Sequence, residues 1–565
     1  MASIHQVIAL GFGPANLAIA GAFLDKASFT WPLDGLLFIE RHAEFRWHPG
    51  MLLPGARMQI RHPSFLKDLA TLRSPQSPIT FIAYLHSQNR LLDFINRGST
   101  IPTRKEYSDY LSWAANYVQQ KGISVAYGEQ VVALHHTDDD TIQVHSRVLA
   151  TGQLIIRFAK NLIISPGGSP HIPKPLLSVH THPRIIHTSS YLTSIDPLLH
   201  SFPTASPTPR PLRIAVIGSG QSAAEVLLDL HSRLSSIPLK APDNHSLDII
   251  IRKGSLKPSD DSPFTNQIFD PDATDTIFNL SSPSTRHSVR REYENTNYGV
   301  VNPHTLETLY EVMYDQKLDQ VIQHRTGHSS RSSKPTICIL NYSEILTADT
   351  IQSSDGPSAA TGSNELSDSV TLTIQHTLTR QIYDKTYDAV FCATGYERKS
   401  WLRLLTSSSV AKHFRLNAGL QDSVHLAPES ELKNQETATP DVEADMTFEF
   451  ADNSPDDERP RCNVPSSGSS TPATSLDSSV DSFSPKPRQD STKLYISRAY
   501  RLLPRPSNGP ENFKAGIYLQ GVAEETHGLS DTLLSVIGVR AGEIVDDICA
   551  RLASDDNKDI SHSRM

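Results

Sequence analysis

The chain has 565 residues, a formal net charge of -9 and a hydrophobic fraction of 38%. Its length exceeds one hydrophobic core and implies two or three domains, while the acidic balance gives no broad basic surface for nucleic acid. No apolar run approaches the roughly 20 residues needed to span a membrane, and Cys338, Cys392, Cys462 and Cys549 show neither a paired-cysteine motif nor metal-ligand spacing.

The first element is the apolar run Val7–Leu10, which enters the turn Gly11-Phe12-Gly13-Pro14-Ala15-Asn16 and leaves it in the alanine-rich helix Leu17–Leu24. Gly11 permits the tight turn and Gly13 lets a pyrophosphate approach the backbone. The free N–H groups and positive dipole end of the helix then face that anion. Asn16 stands where a third glycine is usual. Leu36–Ile39 reads as a second strand closing on Glu40, a carboxylate placed to accept hydrogen bonds from an adenosine ribose.

The loop Phe45–Gly55, continued by Arg57–Ile60, is rich in aromatic residues, proline and glycine. It suits a lid over a flat ring system or a cover over the core. Ser64–Arg73 sets Lys67 in an apolar frame, either a solvated charge or a buried cation awaiting an anion. Helical spacing spans Glu106–Gln120. Strands are expected at Ile123–Gly128 and Gln130–Leu134, with a hairpin of Ile142–Val148 and Leu154–Phe158. Asn161–Gly168 closes this unit, and Pro170–Pro211, dense in Pro and Ser, reads as a linker holding His187-Thr188-Ser189-Ser190-Tyr191.

A second unit begins at Leu212–Ile217 with the turn Gly218-Ser219-Gly220-Gln221-Ser222-Ala223 and a helix to Leu234. Its next strand, Leu247–Ile251, closes not on an acid but on Arg252-Lys253. A cation there suits the 2′-phosphate of NADP, as an acid suits the free hydroxyl of NAD. Two such turns in order, with opposite charges closing their second strands, predict an α/β protein with two dinucleotide-binding, Rossmann-like domains and a small substrate-binding region.

Lys257–Phe269 is a polar loop with two aromatics, Asn297 precedes Tyr298, Val300 and Val301, and Leu306–Tyr314 is helical in spacing. Ser353–Asp368 is low in complexity. Ala389–Tyr396, a strand running into a small-residue turn, reads as the return to the first unit. Glu429–Thr492 is Ser, Pro and acid rich and expected to be disordered. Order resumes at Leu494, Gly516–Gly521 makes a last strand, and His527–Ser535 is expected to start a closing helix whose N-terminus faces a carbonyl or anion. The domain plan is therefore 1–205 and 206–345 for the two nucleotide units, 346–428 for the return with its insert, 429–492 disordered, 493–553 closing, and 554–565 a tail.

These pieces together resemble the flavin-dependent N-hydroxylating monooxygenases, the L-ornithine N5- and L-lysine N6-monooxygenase family of siderophore biosynthesis. The matching blocks are Gly11–Leu17, Phe45–Gly55, Met58–Ile60 with Phe65–Arg73, Gly218–Glu225, Pro258–Phe269, Asn297–Val301, Ala393–Tyr396 and Thr526–Ser535. The resemblance implies FAD against Gly11, Gly13, Pro14, Asn16, Glu40, Phe45, Trp47, His48, Gln59, Val131, Leu529, Ser530 and Asp531. It implies NADPH against Gly218, Ser219, Gly220, Gln221, Ser222, Arg252 and Asn297. An amino acid would lie among Lys67, Asn266, Asn297 and Thr532, with Lys67 on its carboxylate.

By the same resemblance, NADPH reduces FAD, O2 adds at the flavin C4a, and the distal oxygen of the hydroperoxide passes to the neutral side-chain amine of L-ornithine, an early step towards a hydroxamate siderophore. No side-chain nucleophile and no metal are required. L-lysine, a Baeyer–Villiger or xenobiotic flavin monooxygenase, and a non-catalytic nucleotide-binding protein are the alternative readings. A disulfide reductase is disfavoured by the lack of paired cysteines. Where the family passes almost directly from Met-Gln-Ile to Ser-Phe-Leu-Lys, this chain interposes Arg61-His62-Pro63, between a flavin contact and a substrate contact. Relatives are often tetramers, so a homotetramer is implied. A cytoplasmic location is expected from the absence of a basic leader at Met1–Gln6 and of a membrane run. Ser563-Arg564-Met565, similar to the Ser-Lys-Leu peroxisomal address, is the alternative.

Overall fold

The structure, a computed structural model, describes residues 4–26, 33–59, 66–137, 141–202, 210–237, 239, 244–260, 262–326, 334–352, 368–416, 424–437, 492–505 and 513–562. Ile60, Arg61-His62-Pro63, the low-complexity stretch 353–367 and Ser563-Arg564-Met565 lie outside the described residues.

Ile4–Leu10 lies inside a seven-stranded sheet, parallel to Leu36–Glu40 on one side and to Leu154–Ile164 on the other, with Ser124–Tyr127 beyond Leu36–Glu40. Both faces are covered, so Val7–Leu10 and all of Leu36–Glu40 are buried, which is why these strands are unbroken apolar runs instead of alternating ones. The long strand Leu154–Ile164 serves two partners. Leu154–Ala159 pairs antiparallel with Ile142–Val148, and Asn161–Ile164 pairs in parallel with Gly516–Leu519. The end of the chain thus completes the sheet that its beginning founded. The helices Pro14–Asp25 and Ile537–His562 pack together over it.

The second sheet is parallel throughout, in the order Thr336–Leu340, Ser246–Ile250, Arg213–Ile217, Ala389–Cys392, Ile185–His187. A three-stranded antiparallel sheet, Ser343–Gln352, Asp368–His376 and Ile382–Tyr387, lies against it. Ile345, Val370, Leu372, Ile374 and Tyr387 share a core there with Ile217, Ile250 and Val390.

Three expectations are corrected. The second unit does not end at 345: it takes its edge strand Ile185–His187 from the expected linker and its strand Ala389–Cys392 from the expected return. A three-residue strand has no readable period, and four buried apolar residues can serve either sheet. Re-entry into the first unit comes at the helix Ser400–Thr406, where Trp401, Leu402 and Leu405 join its core. Second, the expected disorder over 429–492 does not hold at its two ends, and 438–491 lies outside the described residues. Glu429–Thr437 is helical and Thr492 begins the strand Thr492–Ile496. Glu431 there binds Arg286 and Lys493, partners that composition does not reveal. Third, the closing helix starts at Ile537, not His527. Gly528, at φ +86°, interrupts it, and Leu529–Thr532 and Leu534–Val536 are single 3-10 turns. No described helix is long and apolar enough to cross a membrane.

Candidate active site

At the first turn, Gly11 has φ +85°, and a Cβ there would stand 2.9 Å from the Ser165 carbonyl oxygen. Gly13 caps the helix Pro14–Asp25, and nothing within 4 Å occupies the space where its Cβ would project. That open face beside unpaired helix N–H groups fits an approaching pyrophosphate. Glu40 sits on the same turn: Oε2 accepts from the Phe12 N–H at 2.7 Å and Oε1 from the His42 N–H at 2.9 Å. Asn16 is fully buried. Its Nδ2 donates to the carbonyls of Leu10 and Gly11, and its Oδ1 accepts from Ser165 and Gln520. The side chain in the third-glycine position therefore ties three strand ends together and is committed within the protein.

The aromatic loop leans over this turn. Phe45 meets Phe12 edge-on at 6.1 Å, and Trp47 packs on Tyr107 at 5.7 Å. His48 takes a left-handed conformation and faces Tyr396 at 5.8 Å. His48 is exposed to solvent on one side, with protein packed around the rest of the ring. That dehydration, with Arg104 and Arg398 nearby, lowers its pKa to about 4, so the imidazole is neutral at ordinary pH. Val131 lies on the strand Glu129–His136 at an irregularity in its register, and Gln59 is exposed.

At the second turn Gly218 has φ +134°, and a Cβ would stand 2.3 Å from the Ala393 carbonyl oxygen, so only glycine fits. Gly220 caps the helix Gln221–Ser235, with Ser219 and Ser222 half-buried beside it. Gln221 is turned inward, donating to Glu225 and Thr305 and accepting from the Asn302 N–H. Arg252, past the end of Ser246–Ile250, is exposed and has no ion-pair partner among the described residues. It is free to take a phosphate.

Between the two turns the substrate candidates converge. The 3-10 turn Leu529–Thr532 packs on both Gln267–Phe269 and the helix Pro283–Asn297, which bring Asn266 and Asn297 to the same region. Lys67 is largely buried, with Nζ 3.6 Å from Asp270 Oδ1. Glu524 Oε1 accepts from the Thr532 hydroxyl and from the Tyr298 hydroxyl at 2.5 Å, and lies 3.4 Å from Arg398 Nη1. Burial pushes the Glu524 carboxyl above its usual range. Leu529, Ser530 and Asp531 are buried, and Asp531 is held by Arg540 at 2.8 Å and the Ala523 N–H at 2.6 Å.

Residues 3–398 match the family described as L-lysine 6-monooxygenase/L-ornithine 5-monooxygenase. The chain belongs to that family. An L-ornithine N(5)-monooxygenase of Ceriporiopsis subvermispora is 50% identical over 96% of this chain and 98% of its own length. Another, from Coprinopsis cinerea, is 45% identical over 98% of each. Among solved structures, ornithine hydroxylase PvdA from Pseudomonas aeruginosa aligns with a TM-score of 0.68 and 30% identity over 97% of this chain and 100% of its own. KtzI, the ornithine N-hydroxylase of Kutzneria sp. 744 in a structure with FADred, NADP+ and L-orn, gives 0.67 and 26% over the same shares.

Within this N-monooxygenase the structure brings Lys67, the Asn266 and Asn297 segments and Thr532 to one region between the nucleotide turns. The side chains of Asn16, Gln221 and Asp531, residues expected against the cofactors, are hydrogen-bonded within the protein. Sequence reasoning missed Glu524 and Arg398. An acid directly after the apolar Gly516–Ala523 stretch was the available signal for Glu524. It missed Arg104 too, whose guanidinium binds Glu225 at 2.7 and 3.0 Å, 121 residues away, where no spacing rule reaches.

Proposed function

We propose that this N-monooxygenase hydroxylates the side-chain nitrogen (N5) of L-ornithine with FAD, NADPH and O2, as an early cytoplasmic step towards a hydroxamate siderophore. The observation that carries the reading is the near-full-length identity, 50% and 45%, to two enzymes named for L-ornithine. The two turns support the cofactors: Gly13 leaves its face open, Glu40 is held against the first turn by the Phe12 N–H, and Arg252 stands uncovered at the second strand end. When bound, FAD and NADPH supply reducing equivalents and oxygen activation, which no side chain can.

The chain's own residues then have three tasks. Lys67 binds the substrate carboxylate, in competition with Asp270 at 3.6 Å. Asn266, Asn297 and Thr532 orient the carbon chain, with Glu524 fixing the Thr532 hydroxyl. The aromatic loop and the buried Leu529–Asp531 turn keep water from the reacting centre. The amine must be unprotonated to accept oxygen, so turnover rises with pH. The test is mass analysis of products from FAD-loaded protein given NADPH, O2 and ornithine or lysine. N5-hydroxyornithine is expected. Preferential lysine hydroxylation, or NADPH oxidation without hydroxylated product, overturns the reading.

A further inference from the structure

Lys67 and Asp68 are neighbours with opposite surroundings. Lys67 reaches toward Asp270, 3.6 Å away, among the substrate candidates. Asp68 is 2% exposed and faces the protein interior. No cation pairs with it among the described residues; four donors surround it instead. Its Oδ1 accepts from the Ala70 N–H at 2.9 Å and the Thr71 N–H at 2.6 Å. Its Oδ2 accepts from the Thr71 hydroxyl at 2.8 Å and the Phe81 N–H at 2.6 Å. A buried charge is costly unless it is satisfied in this way. An ionised carboxylate accepts at both oxygens, whereas an amide would set its own N–H group against the donors on one side.

The next residue is tied down separately. The Leu69 N–H donates to the Tyr110 hydroxyl at 3.2 Å, and that hydroxyl donates to the Ile79 carbonyl at 2.7 Å. On the other side the closing helix Ile537–His562 lies so close that a Cβ on Gly538 would stand 3.0 Å from the Leu69 carbonyl oxygen. All these anchors follow Lys67 in the chain, and none lies in the interposed Arg61-His62-Pro63. We propose that Asp68 is the positioning residue for Lys67: by fixing the turn onto the first unit, it aims the ammonium at the substrate carboxylate independently of the inserted tripeptide. The inference rests on the reading of Lys67 as the partner of that carboxylate.

Steady-state kinetics and NADPH-driven flavin reduction of the full-length, FAD-loaded protein test it. Asp68→Asn should lower kcat/KM for ornithine about tenfold or more, chiefly through KM, because a small misplacement of a substrate-holding group is costly. Flavin content and the rate of flavin reduction by NADPH should be retained. In a Lys67→Met background the same substitution should add little, since residues that act as a unit are not additive. If Asp68→Asn does not fold, Thr71→Val removes only the hydroxyl donor and should raise KM about threefold, the effect of one neutral hydrogen bond. An equal loss in both backgrounds gives Asp68 a role in folding alone and overturns the proposal. An unchanged KM in Asp68→Asn, or in Thr71→Val where that variant stands in, overturns it while the reading of Lys67 survives. An unchanged KM in Lys67→Met overturns that reading and the proposal with it.

Discussion

Glu524 Oε1 gathers the Tyr298 and Thr532 hydroxyls and faces Arg398, so removing its charge disturbs groups from three separate segments at once. Glu524→Gln should raise the KM for ornithine about tenfold or more, since a hydrogen bond to a charged group contributes about 1.5–3 kcal/mol, and leave flavin reduction by NADPH unchanged. Equal losses in both rates would mark the residue as structural. Lys67→Ala acts at the other end of the substrate. A lost cation–carboxylate contact of about 2–5 kcal/mol should appear in KM, and an unaltered KM would show that Asp270 is its true partner. His527 concerns stability. It is fully buried, stacked on Tyr500 at 4.0 Å, and dehydration lowers its pKa to about 4. Below the usual value of about 6.5 the unfolded chain takes up a proton that the folded chain refuses. Its contribution is therefore full above that pH and lost as pH falls to about 4, by up to about 3 kcal/mol. Urea midpoints measured between those limits should slope less in His527→Gln than in the wild type; parallel slopes would remove the argument.

At the scale of elements, what could be read in advance was local. The runs Val7–Leu10 and Leu212–Ile217, with the glycine turns that follow, declare strand, turn and helix within a few residues, and both form as expected. Membership of a sheet is not local. Ala389–Cys392 pairs with Arg213–Ile217 and Ile185–His187, neighbours that only the folded chain supplies. The helix Glu429–Thr437 makes the same point, because its acidic composition looked like solvent-exposed chain until Arg286 is placed beside Glu431. Arg286 is almost wholly buried, on the helix that ends at Asn297. Glu431→Ala should therefore cost about 3 kcal/mol, the penalty of stranding a buried charge. Glu431→Gln, which keeps a hydrogen-bond acceptor, should cost less. Unfolding midpoints decide, and a loss under about 0.5 kcal/mol, typical of a surface substitution, would show that water reaches Arg286.

At the scale of the whole molecule the question is what holds the two nucleotide units in one relation. Their covalent connections cross where His187 Nε2 lies 2.9 Å from the Gly395 carbonyl oxygen and the His171 N–H donates to the same oxygen at 3.0 Å. One non-covalent tie is Arg104, which binds the Met51 carbonyl at the base of the aromatic loop and both oxygens of Glu225 in the helix Gln221–Ser235. Glu225 in turn accepts from Gln221, the first residue of that helix, which holds the Asn302 N–H. An unbroken chain of hydrogen bonds thus runs from the loop over the first turn to the mouth of the second. Both charges are desolvated, with side chains 14% and 8% exposed, so deleting either one leaves the other buried and uncompensated. Arg104→Ala and Glu225→Ala should each lower stability by about 3–5 kcal/mol, while Arg104→Met with Glu225→Met should lose less than either single change. If the tie also fixes the distance between the cofactors, the single variants should reduce flavin slowly with NADPH yet normally with dithionite, which needs no second site. A double-mutant coupling near zero would mean that water already separates the pair. Normal NADPH rates in a destabilised Arg104→Ala would assign the bridge to folding alone and leave the crossing at Gly395 as the element that sets the geometry.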